Sequence, residues 1–238
     1  MQPGRVFHEI PYDPVKCSKN RVLVPESPVA SRSAGAAAYR VLRTRLLQRA
    51  RSNEWTTIGV MSPGQGDGKS VTALNLALNI AREGNNSVFL IDFDMRNPQM
   101  CKYLGATPPM EVNDYLSGDC HPEDVLFSIG IANLTFAGTL TSTEKASELL
   151  ATRRVEALFE YIRGVAPQPL ILVDLPPLLS TDDALVIAPK VDASLLVLAE
   201  GRSRRDGAVK ALELLSEFVL AGIVLNRSNA MVAESYGS

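Results

Sequence analysis

Three runs without a single polar member constrain this chain most: residues 88–91 (Val-Phe-Leu-Ile), 170–173 (Leu-Ile-Leu-Val) and 195–198 (Leu-Leu-Val-Leu). Four residues make barely one helical turn, so runs this short and this rich in branched side chains read as strands. A strand with one wet face alternates apolar and polar residues. These do not, so both faces must be covered. Thr57–Met61 fits the same pattern, Leu134–Ala137 is a weaker case, and residues 223–225 form a last one. Helical spacing fills residues 69 to about 83 (closed near Gly84), about 144 to 163, and about 207 to 220. Apolar strands alternating with helices predict an α/β fold, a mostly parallel sheet flanked by helices on both faces. Ligands then bind beyond the carboxyl ends of the strands.

The 238 residues suit one such domain. Residues 1–33, with many prolines and no sustained period, read as an extended arm that can dock on the domain surface. Residues 34–228 form the domain, and 229–238 a flexible tail. Within the domain, residues 34–51 place Tyr39, Leu42 and Leu46 at helical spacing, leaving an arginine-rich face. A net charge of −2 gives no general attraction to nucleic acid or anionic lipid. The scattered Cys17, Cys101 and Cys120, with only His8 and His121, provide no zinc spacing and fit a reducing cytoplasm. Nothing approaches the roughly 18 apolar residues that cross a bilayer. Direct membrane insertion is not expected.

The first strand runs through Met61-Ser62-Pro63 into Gly64-Gln65-Gly66-Asp67-Gly68-Lys69-Ser70, and a helix begins at about Val71. This strand–loop–helix context is that of a P-loop NTPase. Alternate glycines let backbone N–H groups approach phosphate oxygens without a Cβ in the way, and the helix N-terminus adds partial positive charge. Gly64, Gly66, Asp67, Gly68, Lys69, Ser70 and Val71 are the expected binding positions for ATP. Lys69 bridges the β- and γ-phosphates and the Ser70 hydroxyl ligates Mg²⁺. Pro63 stands where the general G-x-x-x-x-G-K-[ST] pattern has its first glycine.

Two acidic stations follow. The run 88–91 leads into Asp92-Phe93-Asp94-Met95-Arg96-Asn97-Pro98, and alternation puts the Asp92 and Asp94 carboxylates on one side. Beside the loop they can hold Mg²⁺ and orient or deprotonate an attacking hydroxyl. The run 170–173 ends at Asp174, before Leu175-Pro176-Pro177. A lone aspartate there can be a turn residue, but in company with Lys69, Ser70, Asp92 and Asp94 it reads as a second metal station. Asp182 and Asp183 read as caps of the next helix.

Taken together, these residues resemble the bacterial tyrosine kinases of capsule and exopolysaccharide synthesis, relatives of the ParA- and MinD-type ATPases. The resemblance covers about residues 37–226. Its D-x-D-x-R-x-P motif stands as Asp92, Asp94, Arg96 and Pro98, and its D-x-P-P motif as Asp174, Pro176 and Pro177. Smaller echoes are Ser147-Glu148-Leu149-Leu150 and Val224-Leu225-Asn226, whose asparagine the resemblance places near the adenine. ParA and MinD relatives carry a signature lysine five positions before the loop lysine. Here that position is Gly64, which makes a positioning ATPase the distant alternative.

The resemblance implies a tyrosine autokinase using ATP and Mg²⁺. Its catalytic residues are Lys69, Asp92 and Asp94, with Asp92 or Asp94 as the base, and its metal ligands are Ser70, Asp94 and Asp174. It also implies a partner, a membrane polysaccharide co-polymerase that regulates chain length and recruits a cytoplasmic protein to the inner face of the plasma membrane. Two departures stand out. The family's E-x-x-R-x-x-R helix, used for self-association, keeps Arg40 and Arg43 but has Ala37 for the glutamate. The family's tail carries a tyrosine cluster, whereas residues 229–238 hold only Tyr236 as candidate phosphoacceptor. These departures suit an alternative, a nucleotide-gated adaptor or slow ATPase of the same export system.

Overall fold

The structure, a computed structural model, describes residues 7–24 and 34–228. In chain order the elements are α1 (Pro14–Lys19), α2 (Ala34–Ser52), β1 (Thr57–Met61), α3 (Lys69–Ala81), β2 (Ser87–Asp92), α4 (Met100–Leu104) and α5 (Val112–Ser117). Then come β3 (Phe127–Ser128), β4 (Leu134–Ala137), α6 (Ala146–Leu150), α7 (Arg154–Val165), β5 (Pro169–Asp174), α8 (Asp183–Ile187), β6 (Ala193–Ala199), α9 (Arg205–Leu214) and β7 (Leu220–Asn226). One sheet runs β3-β4-β2-β5-β1-β6-β7, parallel throughout except for β3.

The all-apolar runs acquire their reason here. Along β2, Val88 and Leu90 join one core while Phe89 and Ile91 join the other. Along β5, Leu170 and Leu172 are separated in the same way from Ile171 and Val173. The first core is closed by α2 and α3 through Leu46, Leu47, Leu74 and Leu78. The second is closed by α5, α7, α8 and α9 through Tyr115, Leu158, Phe159, Ile187 and Ala211. Each strand thus serves two helical layers, as a doubly covered parallel sheet requires.

Several boundaries differ from the expected ones. The helix expected over about 144–163 is two, α6 and α7. Between them the Thr152 hydroxyl donates to the Leu149 carbonyl at 2.7 Å, a side-chain bond that competes with continued helix. The helix expected from Gly207 begins at Arg205 and stops at Leu214, and the chain after it feeds a strand longer than 223–225. On α2 the outward arginines are Arg40, Arg45, Arg49 and Arg51, whereas Arg43 reaches Glu83 at 2.7 Å.

The segment expected as an extended arm contains α1 between residues 7 and 24. Asp13 caps it, its carboxylate accepting from the Val15 and Lys16 N–H groups, and Pro14 supplies the first helical position. Cys17, Val22 and Val24 are buried in the first core, beside α4 and α3. Asn75 of α3 fastens this segment, accepting from the Leu23 N–H at 2.7 Å and donating to the Arg21 carbonyl at 2.9 Å. The expected tail, residues 229–238, lies outside the described residues, and Tyr236 with it.

Asn75→Ala removes both bonds at a buried position, so the protein is expected to lose about 2 kcal/mol in urea unfolding. Trypsin should then cut first near Lys19 and Arg21, with the rest of the domain still resistant. An unchanged cleavage rate would show that the apolar side chains alone hold the segment.

Candidate active site

The sheet order brings the carboxyl ends of β2, β5 and β1 side by side. Asp92 pairs across the ladder with Asp174, and Asp174 with Val60, so both acidic stations abut the strand that feeds the loop. The loop closes on itself there. The Gly64 N–H donates to the Asp67 carboxylate at 3.0 Å, and the Ser62 hydroxyl to the Gly64 carbonyl at 2.8 Å. Gly66 and Gly68 take positive φ, +81° and +95°, a backbone that a side chain would strain.

Lys69 is the centre. Its ammonium lies 2.5 Å from Asp94 Oδ2, 3.4 Å from both Asp174 oxygens and 3.2 Å from the Ser70 hydroxyl. Burial works against its charge, but the carboxylates of Asp174 and Asp94 outweigh burial and hold its pKa above the ordinary value. Burial pushes the Asp174 carboxyl up to about 6 against the pull of Lys69. Burial, and then the neighbouring Asp174, push Asp92 well above the usual carboxylate range.

The two aspartates of the second motif are not equivalent. Asp92 is fully buried, and its two oxygens accept from the backbone N–H groups of Asp94 at 3.1 Å and Met100 at 3.3 Å. It holds the shape of the segment. Asp94 opens on the cavity, about 310 Å³, that Gly66, Gly68, Lys69, Ser70 and Val71 also line, with Gln99 and Tyr103 opposite. Gly64 and Asp67 brace the loop instead of lining that cavity. Asn226 lies behind the loop, its amide donating to the Asp67 carbonyl at 2.9 Å. A larger cavity, about 940 Å³, sits at the amino ends of β2 and β4 beside Ser87 and Asn133, the wrong end of a parallel sheet for this chemistry.

The cation that converges on two carboxylates and a hydroxyl is a lysine, and the donor atoms around it are the hard oxygens that suit Mg²⁺. Among the described residues no group of three or more His, Cys, Asp or Glu side chains is arranged to hold a metal by itself. Asp94, Asp174 and Ser70 would supply part of a magnesium shell, which usually keeps waters and substrate phosphates as well.

No protein-family model matches the chain. Tyrosine-protein kinase CpsD of Streptococcus agalactiae is 30% identical over 204 residues, which cover 84% of this chain and 86% of that protein. The chain belongs to the bacterial tyrosine-protein kinases. The kinase domain of Escherichia coli tyrosine kinase ETK matches it with a TM-score of 0.78 at 25% identity, covering 99% of this chain and 94% of that one. The septum site-determining protein MinD of Pyrococcus horikoshii, solved with Mg-ADP, shares the fold at a TM-score of 0.61 and 21% identity, over 73% and 72% of the two chains.

Of the two aspartates read as helix caps, Asp182 takes the cap position of α8 and Asp183 does not cap it. Asp182 precedes α8 without a capping bond, and Asp183 is turned into the protein. Asp183 receives Arg96 Nε at 2.7 Å and NH2 at 3.2 Å, and the Ser147 hydroxyl bonds to both aspartates. Arg96 also reaches Glu144 at 3.1 Å. The arginine of the D-x-D-x-R-x-P motif thereby ties the segment carrying Asp94 to α6 and α8. Nothing at residue spacing pairs Arg96 with Asp183, 87 positions later.

Arg96→Ala leaves the Asp183 carboxylate buried without its cation and should cost about 3 kcal/mol. Burial raises the Asp183 pKa, but Arg96 and Ser147 overcome it and hold the carboxyl below its ordinary value. The pair's contribution is therefore complete above the ordinary aspartate range and is lost as pH falls through the depressed value. Urea unfolding across acid pH should show this loss in the wild type and a flatter dependence in Arg96→Ala. Parallel curves would remove Asp183 as the group responsible.

Proposed function

We propose that this chain is an ATP- and Mg²⁺-dependent tyrosine autokinase that regulates polymerisation and export of capsule or exopolysaccharide. The observation that carries the reading is the convergence of Lys69, Ser70, Asp94 and Asp174 at the end of three adjacent strands, beside the glycine loop. Residues 34–228 are the kinase domain in this reading, residues 1–33 an arm upon it, and 229–238 the tail that presents Tyr236.

The roles follow from position. The N–H groups of the loop from Gly66 to Val71 cradle the phosphates, with Lys69 swinging between Asp94 and the phosphate oxygens. Ser70, Asp94 and Asp174 are the residues that would hold Mg²⁺. When bound, Mg²⁺ would supply positive charge to the phosphate oxygens. Asp94 is favoured over Asp92 as base, since Asp92 is fully buried with both oxygens engaged. The tyrosine hydroxyl gives its proton to Asp94 while its oxygen bonds to the γ-phosphorus, and the bond to the β,γ-bridging oxygen breaks to release ADP. Asn226 is assigned to the nucleotide through the loop carbonyl it holds, the place beside the adenine being what the family resemblance implies.

The partner in this reading is a membrane co-polymerase whose cytoplasmic segment recruits the kinase to the inner face of the plasma membrane. Among the described residues no helix is long and apolar enough to cross a membrane. Self-association belongs to the proposal too, although Arg43 is already engaged by Glu83 of its own chain and Ala37 offers no carboxylate to a neighbour. That pair of facts favours a second reading, a nucleotide-gated adaptor or slow ATPase of the same system.

Incubation with Mg-ATP and the partner's cytoplasmic segment, followed by mass spectrometry of the tail, separates the two. The kinase reading expects phosphate on Tyr236, none in Tyr236→Phe, and neither nucleotide binding nor phosphate in Lys69→Met. Asp94→Asn should still bind ADP within about tenfold of the wild type yet transfer at least about 100-fold more slowly. ATP turnover with no phosphotyrosine would leave the adaptor.

A further inference from the structure

Three consecutive carbonyls of the phosphate loop are held from outside by side chains that the chemistry above does not use directly. Arg202 donates to the Gln65 carbonyl at 3.1 Å, Arg227 to the Gly66 carbonyl at 2.9 Å, and Asn226 to the Asp67 carbonyl at 2.9 Å. In a planar trans peptide the C=O and the following N–H point in opposite directions. Holding the carbonyls of Gln65, Gly66 and Asp67 outward therefore turns the N–H groups of Gly66, Asp67 and Gly68 inward. Successive inward N–H groups are what an anion-binding concavity consists of. The clamp lies flush on the loop, since a Cβ at Gly66 would strike the Arg202 guanidinium and one at Gly68 the Asn226 amide.

The three donors share one mount. Arg202 follows β6, Asn226 ends β7 and Arg227 follows it, the two strands being paired as far as Ala199 and Asn226. The Glu200 N–H continues that pairing to the Asn226 carbonyl at 2.9 Å, and the Ser203 hydroxyl accepts from the Ala199 N–H at 2.8 Å. The Asn226 side chain is fixed at both ends, its Oδ1 accepting from the Arg227 N–H at 2.8 Å. Of the three arginines 202, 204 and 205, which cluster in sequence, Arg202 bonds to the loop and Arg204 pairs with Asp206.

We propose that Arg202 and Arg227 are positioning residues for nucleotide binding, which act by orienting the loop peptides and not by touching the nucleoside. The proposal rests on the reading of the loop as an ATP cradle. Pyrophosphate, which has no base or ribose, tells the two modes apart. Calorimetric titration of Mg-ADP and Mg-pyrophosphate into the wild type, Arg202→Ala and Arg227→Ala should show each variant weakened about tenfold for both ligands alike. The loss should persist at about 1 M salt, where a guanidinium's bare field is screened within about 3 Å. Arg202→Lys and Arg227→Lys, keeping one donor, should recover part of it. Pyrophosphate binding at full strength beside weakened ADP would overturn the proposal, because the arginines would then touch the nucleoside. A loss that vanishes in salt would overturn it in favour of a simple field effect. A wild type that binds neither ligand would overturn the cradle reading itself, a failure visible before any variant is compared.

Discussion

The site depends on one buried ammonium. Lys69 is the first residue of α3, and its side chain reaches across to carboxylates at the ends of two different strands. For that contact to exist, β2 and β5 must be neighbours, β1 must lie beside β5, and the loop must deliver the helix start directly above them. The strand order satisfies all three. An ammonium buried without partners would shed its proton. Here the aspartates keep it charged, and the same aspartates would be costly to bury without it. Loop, strands and acids are thus bound to one another electrostatically as well as by packing.

Around that centre the structure works by restraint. Asp92 gives both oxygens to the backbone that follows it, and the Thr139 hydroxyl donates to the Asp92 carbonyl at 2.9 Å. Arg96 anchors the same segment from its far side on Asp183. The result is that Asp94, of the two aspartates, is left facing the cavity, with Asn97 beside it. The loop is restrained in the same spirit, from within by Asp67 on Gly64 and from behind by the donors of β6 and β7. Side chains far apart in sequence act here on backbone direction, and backbone direction decides what the site presents.

This explains what could be read from the sequence and what could not. Unbroken apolar runs disclose strands that are covered twice, and a glycine loop ending in Lys69-Ser70 discloses a phosphate cradle, because each signal is complete within a few neighbouring residues. The short elements were not legible in the same way. Helices of five or six residues, such as α4 and α5, are too brief to show a period, and β3 contributes two residues. For α1 a signal did exist in Asp13-Pro14, a cap followed by the residue best suited to a first helical position, but the surrounding prolines masked it. Asp183 misled for a physical reason: an aspartate before a helix is usually a cap, and only the fold reveals that Arg96 faces it. Arg202 carries no local signal of its role for the same reason, since its partner is a backbone carbonyl 137 positions earlier.

The charge balance of the site carries a final consequence. One ammonium touches Asp94 and Asp174 and has Asp92 nearby, and burial has already raised the pKa of Asp92 and Asp174. Proton uptake is how such a site relieves mutual repulsion. A polyphosphate brings more negative charge to the same place, and Lys69 cannot neutralise both the phosphates and the acids at once. In the proposed reading Asp94 and Asp174 would hold a divalent cation brought with the polyanion, whose charge would let Lys69 turn from Asp94 toward phosphate. Under that reading the uptake of polyanion, cation and protons at these residues would be linked, because each changes the charge that Lys69 and the acids share.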